Sequence, residues 1–172
     1  MLNYIRKNWS SILLFAFVIG FVLYRKIPLW ENERGLEGQS LPHGSLRTLA
    51  GSEIDLSSRK EKVILVSFWA TWCMPCRVEM PMLVSLRREL DGQSFEIFAV
   101  TDEDPITVAH FIEEHPVNFP IVLDRGPLQQ AFRIQVFPTL VQFKDGKLVS
   151  VSNGVDWFLK FKIRHAVTGN YF

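Results

Sequence analysis

The chain has 172 residues, room for one ordinary domain and a short appendage but not for two full-sized domains. Hydrophobic residues make up 48% and charged residues 22%, a globular composition that excludes a disordered chain. Lysine and arginine total 19 against 18 acidic residues, so no basic excess points to nucleic acid, and only two cysteines exclude a disulfide-rich scaffold.

From Asn8 to Tyr24 no charge occurs, and Ile12 to Leu23 is apolar apart from Gly20. As a helix this stretch reaches roughly 26 Å against a hydrocarbon core of about 30 Å, the short end for a spanning segment. Trp9 and Tyr24 stand where interfacial aromatics belong, and Arg25 and Lys26 can snorkel outward. No small-x-small cleavage site follows the apolar block, so an uncleaved anchor is expected in place of a signal peptide. The expected organisation is a cytoplasmic stub at 1–7, a transmembrane anchor at 8–24, a polar linker at 25–39 and a folded domain at 40–172. Arg6 and Lys7 before the segment balance Arg25 and Lys26 after it, so charge alone leaves the orientation open.

The folded part opens with a small hairpin, Leu46 to Leu56, around Ala50-Gly51. Lys62 to Trp69 is a near-continuous apolar run, as a strand buried on both faces requires. Cys73 to Leu90 carries Val78, Met82, Leu83, Leu86 and Leu90 at helical spacing, with Pro81 as an expected kink. Phe95 to Thr101 is a second buried strand, and Asp104-Pro105 caps and opens a helix running to about His115. A third strand, Phe119 to Leu123, precedes a short helix, Pro127 to Phe132. Thr139 to Phe143 and Lys147 to Val151 flank Asp145-Gly146, a strong hairpin signal, and a last helix spans about Val155 to Val167. Alternating β and α segments predict a central mixed sheet with helices on both faces.

Both cysteines lie in Cys73-Met74-Pro75-Cys76, where a buried strand leads into a helix, the context of a thioredoxin-like redox motif. Two cysteines in a first helical turn can close a small disulfide ring and reopen it. Cys73, at the helix N-terminus, meets unpaired N–H groups and the positive end of the helix dipole, and both favour the attacking thiolate. Cys76, one turn further in, is the expected resolving thiol. Trp69 and Trp72 are expected to flank the pair as an apolar docking face. Covalent haem is excluded because residue 77 is Arg, and no zinc-site spacing involves His43, His110, His115 or His165. Thiols beside Met74, Met80 and Met82 leave a Cu(I)-binding module as a rival from another class.

The stretch Ser67-Phe-Trp-Ala-Thr-Trp-Cys-Met-Pro-Cys-Arg-Val-Glu-Met-Pro81 resembles the active-site block of membrane-anchored thioredoxin-like proteins of the TlpA/ResA/DsbE type, a resemblance running from about Gly38 to the C-terminus. The similarly anchored suppressor-of-copper-sensitivity thioredoxins are a second subgroup that it resembles. The resemblance implies a thioredoxin fold outside the inner membrane of a bacterium, in the periplasm, and thiol–disulfide exchange that reduces protein disulfides, often in cytochrome c maturation. A periplasmic disulfide oxidase or isomerase is the alternative within the class. It also implies protein thiol or disulfide substrates, a DsbD-like membrane thiol donor and no cofactor.

Carried over residue by residue, Cys73 is the nucleophile and Cys76 the resolving thiol, while Glu79 matches an acidic residue that modulates the thiols. Phe137-Pro138-Thr139 matches the cis-proline segment, which together with Trp72 meets the substrate. Ser67 replaces the Asp or Asn of related proteins and is no general base, so Glu79 or water must relay the proton. No acidic residue follows Pro138 in Thr139-Leu140-Val141, where the dedicated cytochrome branch carries one. Asp102-Glu103-Asp104 reads as an acidic loop capping the next helix, and Lys160, Lys162, Arg164 and His165 as a solvated basic face.

Overall fold

The computed structural model describes residues 13–21 and 35–169, and the chain divides into two units, Met1–Gly35 and Leu36–Phe172. In the first unit, residues 13–21 are helical with exposed side chains, and the rest of the predicted 8–24 anchor lies outside the described residues. Among the described residues no helix is long and apolar enough to cross a membrane.

The second unit runs β1 Leu46–Thr48, β2 Glu53–Ile54, a 3-10 turn at Leu56–Ser58, β3 Val63–Phe68, α1 Met74–Glu89, β4 Phe95–Thr101, α2 Pro105–Glu114, β5 Ile121–Leu123, α3 Pro127–Ala131, β6 Thr139–Lys144, β7 Lys147–Asn153 and α4 Leu159–Thr168. The strands form one sheet in the order β2-β1-β5-β4-β3-β6-β7. β3, β4 and β5 pair in parallel, whereas β6, β7, β1 and β2 join antiparallel. The mixed sheet and both hairpins are those the sequence predicts.

β3 shows why a wholly apolar strand was needed. Successive side chains alternate faces, and Val63 and Leu65 enter one core with Cys73, Cys76, Leu83 and Ile163, whereas Ile64, Val66 and Phe68 enter the other with Leu128, Phe132 and Phe143. Every residue of β3 is buried, including Ser67. On the first face, α1 lays down Cys76, Glu79, Met80, Leu83 and Leu86, and α4 lays down Leu159, Ile163 and Val167, both at helical spacing.

Two boundaries differ from expectation. β5 begins at Ile121 because Pro120 has no N–H to give the ladder, although its carbonyl accepts from Ala99 N–H. α4 begins at Leu159, four residues late: Gly154 turns the chain at φ 80°, and the Asp156 carboxylate accepts the Phe158 N–H before the first helical turn.

Candidate active site

Cys73 caps α1 with extended backbone, its N–H donating to Ala70 O at 3.2 Å. It is joined to Cys76 by a disulfide with Cα atoms 5.2 Å apart. Its Sγ accepts the Cys76 N–H at 3.2 Å, an N-cap contact made with sulfur in place of oxygen. A donor and the positive helix end aimed at this atom favour its charged form once the disulfide opens. Cys76 sits deeper, in the apolar stripe of α1.

Three residues after Cys76 on α1 stands Glu79, 1% exposed. Ser67 Oγ donates to its Oε2 at a long 3.4 Å, and among the described residues Oε1 has no hydrogen-bond partner. Burial pushes this carboxyl up from 4.5 to about 8; the nearby Asp156 charge adds to the rise, and the Ser67 hydroxyl opposes it. Glu79 is therefore largely a neutral acid at pH 7 in the disulfide state. It is three residues from Cys76, on the same face of the helix.

Around the disulfide the surface is apolar. Trp72 and Met74 are about two-thirds exposed, and the Trp72 ring packs against Phe137 at 5.9 Å between centroids. The Phe137–Pro138 peptide is cis, and Gly154 N–H donates to Pro138 O at 2.8 Å. Thr139 follows the cis-proline at the start of β6. It is buried, with its Oγ1 lying 2.8 Å from both Val136 O and Asn153 Oδ1, so its side chain braces the corner from inside.

Trp69 does not flank the site on the surface. It faces the core, 1% exposed, and packs on Phe111 with centroids 5.4 Å apart, because its odd-numbered position puts it on the same sheet face as Leu65 and Ser67. Met74 is exposed, Met80 buried and Met82 half-buried, so they occupy three different environments around α1. Among the described residues no group of three or more His, Cys, Asp or Glu side chains gathers.

Two features escape the sequence reading. Glu103 does not cap α2; Asp104 alone does, accepting from Ile106 and Thr107 N–H, while Glu103 reaches back to Thr71. The predicted basic face is engaged as well: Lys160 and Arg164 pair with Glu89, and Lys162 with Asp156.

Residues 38–149 match the AhpC/TSA family. The thiol-disulfide oxidoreductase ResA of Bacillus subtilis is 32% identical over 154 residues, 88% of this chain and 84% of that protein. Thioredoxin-like protein YneN of the same organism is 30% identical over 138 residues, 77% of this chain and 81% of that protein. Among solved structures, the thioredoxin domain of a thiol-disulfide oxidoreductase from Bacteroides vulgatus superposes with a TM-score of 0.69 at 26% identity, covering 76% of this chain and 97% of that one. The chain belongs to the AhpC/TSA family, and its fold is thioredoxin-like.

Proposed function

We propose that this thiol:disulfide oxidoreductase works as a reductase of protein disulfides, held at the outer face of a bacterial inner membrane by residues 8–24 and drawing electrons from a membrane thiol donor. The substrates we favour are protein disulfides of an extracytoplasmic thiol pathway, cytochrome c maturation or a related one, in keeping with the similarity to a thiol-disulfide oxidoreductase.

The cycle needs no cofactor. The Cys73 thiolate attacks one sulfur of a substrate disulfide, forming a mixed disulfide and releasing the first substrate thiolate. The Cys76 thiolate then attacks Cys73 Sγ, the mixed disulfide breaks, and the second substrate thiolate leaves. Two electrons pass to the substrate, two protons follow them, and the Cys73–Cys76 disulfide remains. A donor thiolate reopens it at Cys73 Sγ with Cys76 as leaving group, and a second donor thiol resolves that mixed disulfide and regenerates Cys73. Trp72 and Phe137 offer the substrate chain an apolar seat beside Pro138.

The observation that carries the reading is buried, neutral Glu79. An acid near 8 titrates close to neutral pH, so Glu79 can give a proton to Cys76 and take one back under working conditions. In the disulfide state Glu79 holds the proton that departing Cys76 needs. Being uncharged, it adds nothing to thiolate stability. Strong stabilisation of the reduced form is what makes an oxidant, so its absence on this side favours a reductant.

The test is the equilibrium reduction potential of the Cys73–Cys76 pair in the full chain. A value near or below about −230 mV supports the reductase, and one near about −120 mV overturns the direction. Cys73→Ser must abolish disulfide turnover; activity persisting in that variant removes Cys73 as the nucleophile.

A further inference from the structure

The segment leading into Cys73 is held by two opposite charges that the exchange chemistry does not require. Glu103, in the loop between β4 and α2, accepts the Thr71 N–H at 2.6 Å and the Thr71 hydroxyl at 2.7 Å, one on each carboxylate oxygen. Thr101 Oγ1 lies 3.4 Å from both Glu103 Oε2 and Glu103 N, which fixes the carboxylate from its own side. At the other end of the same residue, Arg77 Nε donates to Thr71 O at 3.0 Å, and its guanidinium lies over the Phe111 ring at 5.4 Å. Arg77 is also tied to the nucleophile's backbone, its N–H donating to Cys73 O at 3.2 Å. Thr71 and Cys73 are two Cα steps apart, at most about 7.6 Å.

We propose that Glu103 and Arg77 are positioning residues that grip Thr71 at its N–H and its C=O and set, with opposite sign, how readily Cys73 ionises. This deepens the reading above and rests on Cys73 being the attacking thiol. A carboxylate this close disfavours the thiolate, and a guanidinium favours it. Of the other acids, Glu79 follows Cys76 by three residues with the Asp156 charge acting on it, and Glu89, at the far end of α1, is paired with Lys160 and Arg164. Asp104 is occupied capping α2, and Asp102 is exposed. The two grips also fix the backbone just before Trp72, whose ring rests on Phe137. Charge and geometry at the nucleophile thus come from one strap joining the β4–α2 loop, the active-site segment and α1.

The test is the pH dependence of iodoacetamide alkylation of the fully reduced full chain, with the modified cysteine identified by mass spectrometry. Glu103→Gln keeps an acceptor but removes the charge, and the Cys73 midpoint is expected to fall by about half a unit; Arg77→Gln should raise it by about as much. A merely structural role would move both variants the same way or neither, and either result overturns the proposal. If Glu103→Gln does not fold, Arg77 decides alone: Arg77→Gln must raise the midpoint, and Arg77→Lys, which restores the charge, must bring it back. An unmoved midpoint in Arg77→Gln sinks the idea. First alkylation at Cys76 would overturn the nucleophile assignment itself, a failure distinguishable from an unmoved Cys73.

Discussion

Glu79 and Glu89 stand on one helix, α1, and their carboxyls are driven in opposite directions. Glu79 is buried with one long hydrogen bond and rises to about 8. Glu89, near the helix C-terminus, is bound by Arg164 and Lys160 of α4 and by Ser85, and falls to about 2. The same side chain is a proton reservoir at one end of the helix and a fixed anion at the other. What separates them is solvent and partners: desolvation without a cation favours the neutral acid, and cations at the surface favour the charge. Only the first suits proton transfer near neutral pH, and it is the one a single helical turn from Cys76.

The largest expected effect comes from removing the first half of that contrast. Because the folded value of Glu79 is raised from 4.5 to about 8, its share of stability is fully present below about 4.5 and is lost as pH climbs toward about 8. For a group this buried the loss is on the order of a few kcal/mol. Glu79→Gln, similar in shape but unable to ionise, should remove that slope, so that denaturant melts of the disulfide form at pH 5 and pH 9 differ less than in the parent. Turnover of a protein disulfide should drop by about tenfold or more, while alkylation of Cys73 continues. A variant that keeps the parent's pH slope would show that Glu79 is not the titrating group.

Much of this arrangement can be read in the sequence once helix periodicity is taken at its word. Glu79 lies three residues after Cys76, four before Leu83 and seven before Leu86, a position that belongs to the buried stripe whatever its chemistry. The strands, both hairpins and the Asp104 cap were legible because each rests on local patterning and turn chemistry. The site was less so. Trp69, expected to flank the pair beside Trp72, faces the core, as strand alternation from Leu65 assigns. Glu103 gave no local signal, since one acid of three suffices to cap α2 and its partner Thr71 lies 32 residues earlier, brought near only by parallel pairing of β3 with β4. The ion pairs of Lys160 and Arg164 with Glu89 likewise join residues more than seventy apart, which no periodicity predicts.

A smaller effect isolates the one hydrogen bond that restrains Glu79. Ser67 Oγ donates to it and is the influence holding the carboxyl down. Ser67→Ala should therefore raise Glu79 further, by less than about one unit since a long neutral bond contributes roughly 1 kcal/mol or less. The carboxyl C=O infrared band followed against pH in the disulfide form reads this directly. The midpoint must move up; a downward shift would mean that the hydroxyl acts on the neutral acid and not on the carboxylate.

The smallest effect belongs to the other end of the helix and has the opposite pH sense. The folded value of Glu89 is depressed from 4.5 to about 2, so its contribution is present above about 4.5 and is lost as pH falls toward about 2. Its partners sit at the surface, with about a third of each of the Glu89 and Lys160 side chains and half of Arg164 exposed, so solvent and salt discount the pairs. Glu89→Gln should cost no more than about 1 kcal/mol at pH 7, with the gap from the parent shrinking in molar salt and closing as the pH is lowered toward 2. A cost of several kcal/mol that persists in salt would mean that the pairs joining α4 to α1 carry the docking of the last helix, a role that the buried Leu159, Ile163 and Val167 fill here.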